Sequence, residues 1–247
     1  MSDIFSNIES GSDIVEGDDS IGGAVLKDSA VYPMTVKLAF ITTSASGAMC
    51  MNMHLVDKEK PKEVYKEQQY FTSGTAKGGK NFYVKDGVKH YLPGYNITNA
   101  LCLLTVGEEL KALKDRIETK TINLYDSTAG KEIPTEVPMV MPLIGKEIAV
   151  GIIKQVVDKR AKNAGTGKYE PTGETREENE VDKLFHISDG RTVAEIRAGE
   201  PTALFLAKWK NKWEGQVRNR AKGASGVTAG APKRESGAQA GTPKLFG

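Results

Sequence analysis

The sequence predicts a mainly β fold with helical additions, and three observations carry that expectation. Several apolar runs alternate with polar residues at the period of two that a half-buried strand requires. Tight-turn dipeptides separate some of these runs. Strands do not alternate regularly with long helices, so parallel βαβ units are not expected.

From Tyr32 to Phe40 the residues Tyr32, Met34, Val36, Leu38 and Phe40 alternate with Pro33, Thr35, Lys37 and Ala39. The turn-forming TTSASG follows, and Met49, Met51, Met53 and Leu55 alternate again, so the two runs are expected to pair as a long hairpin. A third strand is expected from Val64 to Phe71. In NFYVKDGVKHYL, strand-forming residues flank Asp86-Gly87; a two-residue turn there sets Phe82 opposite Tyr91 and Tyr83 opposite His90. PGYNITNALCLLTVGEELKAL has helical spacing from Ile97 through Leu101 and Leu104, with Asn96 or Thr98 as N-cap, Gly107 as a break and a second short turn beyond.

Residues 119–126 return to strand character, and the prolines at 134, 138 and 142 make IPTEVPMVMPLIG an extended connector. Ile148, Val150, Ile152 and Val156 mark another strand, the polar stretch 161–180 reads as a mobile excursion, and LFHISDGRTVAEI reads as a hairpin around Asp189-Gly190. From Pro201 a basic helix is expected through ALFLAKWKNKWEGQVRNR, with Leu206, Trp209, Trp213 and Val217 on one face as core anchors. The economical architecture is an OB-fold-like β-barrel with an inserted hairpin, a capping helix and a C-terminal basic helix; an unrelated β-sandwich is the alternative.

The ends differ from this body. Residues 1–20 carry six acidic residues and no Lys or Arg, which predicts an acidic flexible segment, whereas 21–220 form the binding domain. Residues 221–247 are rich in Gly, Ala, Ser and Pro and predict a disordered basic tail. Residues 208–247 hold nine Lys or Arg against Glu214 and Glu235, a net of +7 within a chain of net +2, so a polyanionic partner or self-regulation is implied. Two cysteines, Cys50 and Cys102, support no disulfide framework, and no apolar run of membrane length or secretory leader is readable; a cytoplasmic setting without membrane contact is expected, in a host cell if the source is viral.

Catalytic and metal signatures are missing: His54, His90 and His186 lack ligand spacing, and no GxSxG or HExxH occurs. The sequence therefore predicts no cofactor and no catalytic residue. GTAKGGKN comes within one residue of GxxxxGK[ST], since Gly74, Gly79 and Lys80 are in place and Asn81 stands where the hydroxyl belongs. A phosphate-binding loop of that kind opens a helix, and the strand-forming residues that follow argue against it. A nucleotide hydrolase is nonetheless an alternative reading, as is a host-takeover or scaffold protein that binds a basic partner.

The positive signal lies between residues 62 and 92, where six of seventeen aromatic residues lie among lysines. Flat rings for bases and cations for phosphates are what sequence-tolerant binding of single-stranded nucleic acid needs. The candidate contacts are Tyr65, Tyr70, Phe71, Lys77, Lys80, Phe82, Tyr83, Lys85, Lys89 and Tyr91. The glycines of SGTAKGGK let a lysine-bearing loop follow a phosphate backbone closely.

In feature order the chain resembles the phage-encoded single-stranded DNA-binding proteins with an OB-fold. The resemblance spans about residues 22–200: the pair VYPMTVKLAF and AMCMNMHLV, the segment YKEQQYFTSGTAKGGKNFYVKDGVKHYL, the helix YNITNALCLL, and then a tail ending KLFG. It implies a non-catalytic protein that coats exposed single-stranded DNA in replication, recombination or repair and meets replication or recombination proteins. Such proteins recruit partners through an acidic tail with a terminal aromatic; here the tail is basic and Phe246 precedes Gly247.

Overall fold

A computed structural model describes residues 26–126 and 129–222. The acidic segment 1–20 and the tail from 223 onward lie outside the described residues. Of the tail expected from 221 the first two residues are described and belong to the folded body: Ala221 is buried and the Lys222 N–H donates to Asp158.

In chain order the strands are β1 (Ala30–Thr43), β2 (Met49–Asp57), β3 (Lys60–Tyr70), β4 (Phe82–Lys85), β5 (Val88–Tyr91), β6 (Ile117–Asp126), β7 (Lys131–Val140), β8 (Glu147–Lys162), β9 (Tyr169–Phe185) and β10 (Val217–Asn219). The helices are α1 (Pro93–Thr105), α2 (Val193–Ala198) and α3 (Leu204–Trp213). The fold is mainly β. One antiparallel row runs β3-β2-β1-β8-β9; β10 adds to β8 in parallel, and the β6–β7 hairpin joins β1 at Phe40. The barrel expected from the sequence is not closed: β3 and β9 share no backbone ladder. Helix α1 packs against β3, β8 and β9 at that open side.

A bulge explains how β1 serves two cores. Its register against β2 slips between Val36 and Leu38, so one extra residue reverses the facing of everything after it. Before the slip Met34 and Val36 enter the main core with Met51, Met53, Leu55 and Leu101; after it Ala39 and Ile41 do, while Leu38 and Phe40 turn to Val137 and Met139. The unbroken alternation of the sequence had implied one face throughout.

Several expectations are corrected. Helix α1 starts at Pro93 with Leu92 as N-cap, placing Asn96 and Thr98 inside it, because proline fits the first helical position. The proline-rich connector is strand β7: Pro134 and Pro138 are four residues apart, so both missing N–H groups face the same edge, and the ladder to β6 is kept. The expected mobile stretch 161–180 belongs mostly to the β8–β9 hairpin, where Lys159–Glu174 and Lys154–Glu177 ion pairs replace the apolar alternation of a core strand.

Beyond Asp189-Gly190 comes helix α2 instead of a second hairpin strand. Thr192 and Glu195 close a reciprocal capping box there. The last helix ends at Trp213, and Gly215 takes φ +69°, so Val217 joins β10 instead of the helical face. Trp209 is a core anchor, as expected: it packs with Ile153 and Phe185 and donates its Nε1–H to Asp182 at 2.8 Å.

Candidate nucleic-acid interface

The glycine-lysine segment folds as a clasp between β3 and β4. Its ends are tied by the Ser73 N–H to the Lys80 carbonyl (2.7 Å) and by the Lys80 N–H to Ser73 Oγ (2.9 Å). The tip is a short 3-10 turn, Thr75–Lys77, whose Thr75 N–H donates to the Ser46 carbonyl at 2.8 Å. That contact seats the clasp on the β1–β2 turn. Gly47 makes it possible, with φ +79° and no room for a Cβ beside the Thr75 side chain. After Lys80 the chain enters strand β4, not a helix, so its N–H groups do not converge as a nucleotide-phosphate cradle requires.

The hairpin beyond has the expected register, Phe82 opposite Tyr91 and Tyr83 opposite His90. Asp86 and Gly87 take φ 52° and 76°, the positive values of a two-residue hairpin turn. Tyr83 stacks on His90 at 5.5 Å, and the ammonium groups of Lys80 and Lys89 lie 5.6 and 5.0 Å from the Phe82 ring centre.

Five of the ten sequence-predicted residues share one cavity of about 740 Å³: Tyr70, Lys77, Lys80, Phe82 and Tyr83. Three others lie elsewhere. Phe71 is 6% exposed and Tyr65 packs on the main core, so neither ring is free to stack on a base. Tyr91 is turned away, its ring 4.7 Å from that of Tyr95. Lys85 and Lys89 are exposed but do not line the cavity.

The sequence reading missed a second, larger recess. A groove of about 1160 Å³ lies over β1, β2 and β3, between the β6–β7 and β8–β9 hairpins. Its floor carries Phe40, Asn52, His54, Lys66 and Gln68, and its walls carry Tyr125, Arg160 and Arg176; Arg220 and Lys222 reach it from the chain beyond β10. The Gln68 Nε2–H donates to Asn52 Oδ1 and the Asn52 Nδ2–H to Thr42 Oγ1, a carboxamide ladder across three strands. Phe40 and His54 meet edge to face at 5.6 Å. Burial, assisted by the Lys66 and Lys37 charges, lowers the His54 pKa, so this imidazole is neutral at pH 7.

The two recesses are neighbours along β3, where Lys66 and Gln68 line the groove and Tyr70 the clasp cavity. Lys66, Gln68 and Tyr70 alternate along β3 on its exposed face, opposite His54, Asn52 and Cys50. This row spans about 13 Å and links the groove to the clasp cavity. The only trace of it in the sequence is that alternation.

Charge pairing divides the cations. In the groove Arg176 pairs with Glu178 and Arg220 with Glu180. Lys77, Lys80, Lys85 and Lys89 enter no ion pair among the described residues, and neither do Lys66, Arg160 and Lys222. Unpaired cations are those that an incoming phosphate can engage without breaking an existing bond.

Among the described residues no group of three or more His, Cys, Asp and Glu could hold a metal ion. Both cysteines are buried thiols, and burial pushes Cys102 up to about 12. No helix among the described residues is long and apolar enough to cross a membrane. No family model, curated protein or solved structure matches the chain.

Proposed function

We propose that this protein binds single-stranded DNA without reading its sequence, as a non-catalytic component of phage-like DNA replication, recombination or repair. One observation carries the reading: the row Lys66, Gln68, Tyr70 connects a cavity of unpaired lysines and exposed rings to a long polar groove. A flexible strand can follow that lane, with phosphates on Lys66, Lys77 and Lys80 and bases on Tyr70, Phe82 and Tyr83. A duplex about 20 Å across presents its bases inward and has nothing to offer the rings.

The strand arrangement supports the same reading. In the row β3-β2-β1-β8-β9, with α1 in the chain between the third and fourth of these strands, we infer an OB-fold opened between its third and fifth strands. Such barrels bind oligonucleotides on the face of the second and third strands, flanked by the loops after the first and fourth. Here that face is β2 and β3, the first loop is the β1–β2 turn under the clasp, and the other is the β8–β9 turn.

The test is a titration of fluorescently labelled oligonucleotides, single-stranded and duplex, at two salt concentrations. Tighter binding of the single strand, weakening steeply with salt, is expected from counterion release. Equal affinity for duplex, or indifference to salt, rejects the reading.

A further inference from the structure

Where β3 and β9 fail to pair, a carboxylic acid sits between them. Glu67 points from β3 into the seam and accepts two hydrogen bonds, from Tyr65 Oη (3.0 Å) and from Gln69 Nε2 (2.7 Å), with the backbone N–H of Val181 on β9 beside it. It lines the long groove on one side and, on the other, a cavity of about 600 Å³ that includes Leu26 and Glu177. Lys66, Glu178 and Asn179 border both recesses with it.

The charged groups around this carboxyl do not neutralise it. On β3 its neighbour Lys66 belongs to the opposite, exposed face, and on β2 it lies opposite Met53, with His54 on the groove floor. From β9 come Glu178 and Glu180, already engaged by Arg176 and by Arg218 and Arg220 of the β10 segment. Lys27, which precedes β1, is held by Asp57 and Glu63. Glu67 thus has hydrogen bonds but no cation of its own among the described residues.

We propose that Glu67 is a proton-binding site coupled to the occupancy of the groove, so that a polynucleotide lying along β2 and β3 binds together with a proton taken up by this carboxyl. The inference rests on the reading of that face as a polynucleotide track. Phosphates entering the groove add negative charge beside a carboxylate already facing Glu178 and Glu180, and protonation removes the repulsion. The site is poised for this: burial above all, with the Glu180 charge adding to it, pushes Glu67 up to about 7 against the hydrogen bonds it accepts. The free protein therefore has the group about half protonated at neutral pH, where a polyanion can tip it.

By linkage, the affinity for DNA is higher where the carboxyl is already protonated. If DNA raises its pKa by about one unit, affinity falls about sevenfold between pH 6 and 8.5, and complex formation at pH 7 takes up about 0.4 of a proton. The experiment measures the affinity for a labelled thymidine oligonucleotide across that range at constant ionic strength. It also measures proton uptake by calorimetry at pH 7 in buffers of different ionisation enthalpy. Wild type, Glu67→Gln and His54→Gln are compared, since the neutral imidazole of His54 is the other group of the groove floor that an entering polyanion can protonate.

A fall in affinity with pH and a proton uptake that Glu67→Gln abolishes and His54→Gln retains support the proposal. Tight binding without uptake or pH dependence overturns it and leaves the DNA-binding reading standing. Uptake that disappears only in His54→Gln also overturns it, by assigning the proton to the imidazole. Absence of oligonucleotide binding at every pH overturns both. The calorimetric arm on the wild-type and His54→Gln proteins keeps the proposal open to refutation even if Glu67→Gln fails to fold, because absent uptake, or uptake lost in His54→Gln, overturns it.

Discussion

Replacing Lys77 and Lys80 together by glutamine separates a phosphate-binding clasp from a solvated loop. Both side chains are exposed and line the same cavity with Tyr70, Phe82 and Tyr83, and neither is held by an ion pair among the described residues. Removing them disturbs no core contact. For single strands each neutralised phosphate contributes about 0.7 to the slope of log affinity against log salt, so the pair contributes about 1.4. At about 0.1 M salt that slope corresponds to roughly 25-fold in affinity, or about 2 kcal/mol. The assay is anisotropy of a labelled oligonucleotide over a range of sodium chloride concentrations, with Lys85→Gln as the control from outside the cavity. The expected result is a shallower slope for the double variant, an unchanged slope for the control and unchanged melting temperatures for both. A double variant with the wild-type slope refutes the assignment of phosphates to the clasp.

Two further outcomes follow from the same geometry. Phe82→Ala should cost about 1–3 kcal/mol of binding at every salt concentration, because it removes a stacking surface and no charge; a changed salt slope instead would mean that Phe82 acts by holding Lys80 and Lys89 in place. Gly94→Val should destabilise the fold by about 1–3 kcal/mol in denaturant melts, because a Cβ at Gly94 collides with the Tyr70 carbonyl where α1 lands on β3; an unchanged midpoint would show that this junction can yield.

What the sequence disclosed depended on whether local chemistry alone decides the structure. The β4–β5 register was legible because Asp86-Gly87 accepts the positive φ values that a two-residue turn demands, and the turn fixes every pair behind it. The β1–β2 hairpin was legible for its alternation, yet the division of β1 between two cores was not. A bulge changes which face a residue occupies without changing the pattern of residues, and nothing around Lys37 announces it. Strand β9 stayed hidden for the opposite reason: in the outer part of its hairpin it is exposed on both faces and carries polar residues on both, so the period-two signal is missing where the strand exists.

The candidate site divides along the same line. The clasp could be read because its glycines, lysines and aromatic residues are neighbours in the chain. The groove could not, because its residues come from seven strands and from the segment after β10. Tyr65 and Phe71 show what composition alone misjudges: on β3 the face presented by Lys66, Gln68 and Tyr70 is open, while Tyr65 goes to the core and Phe71, just past the strand, is buried. Counting rings between residues 62 and 92 singles out a region but says nothing of its orientation. Strand parity gives the orientation, and it identifies Tyr70 as the ring that joins clasp to groove.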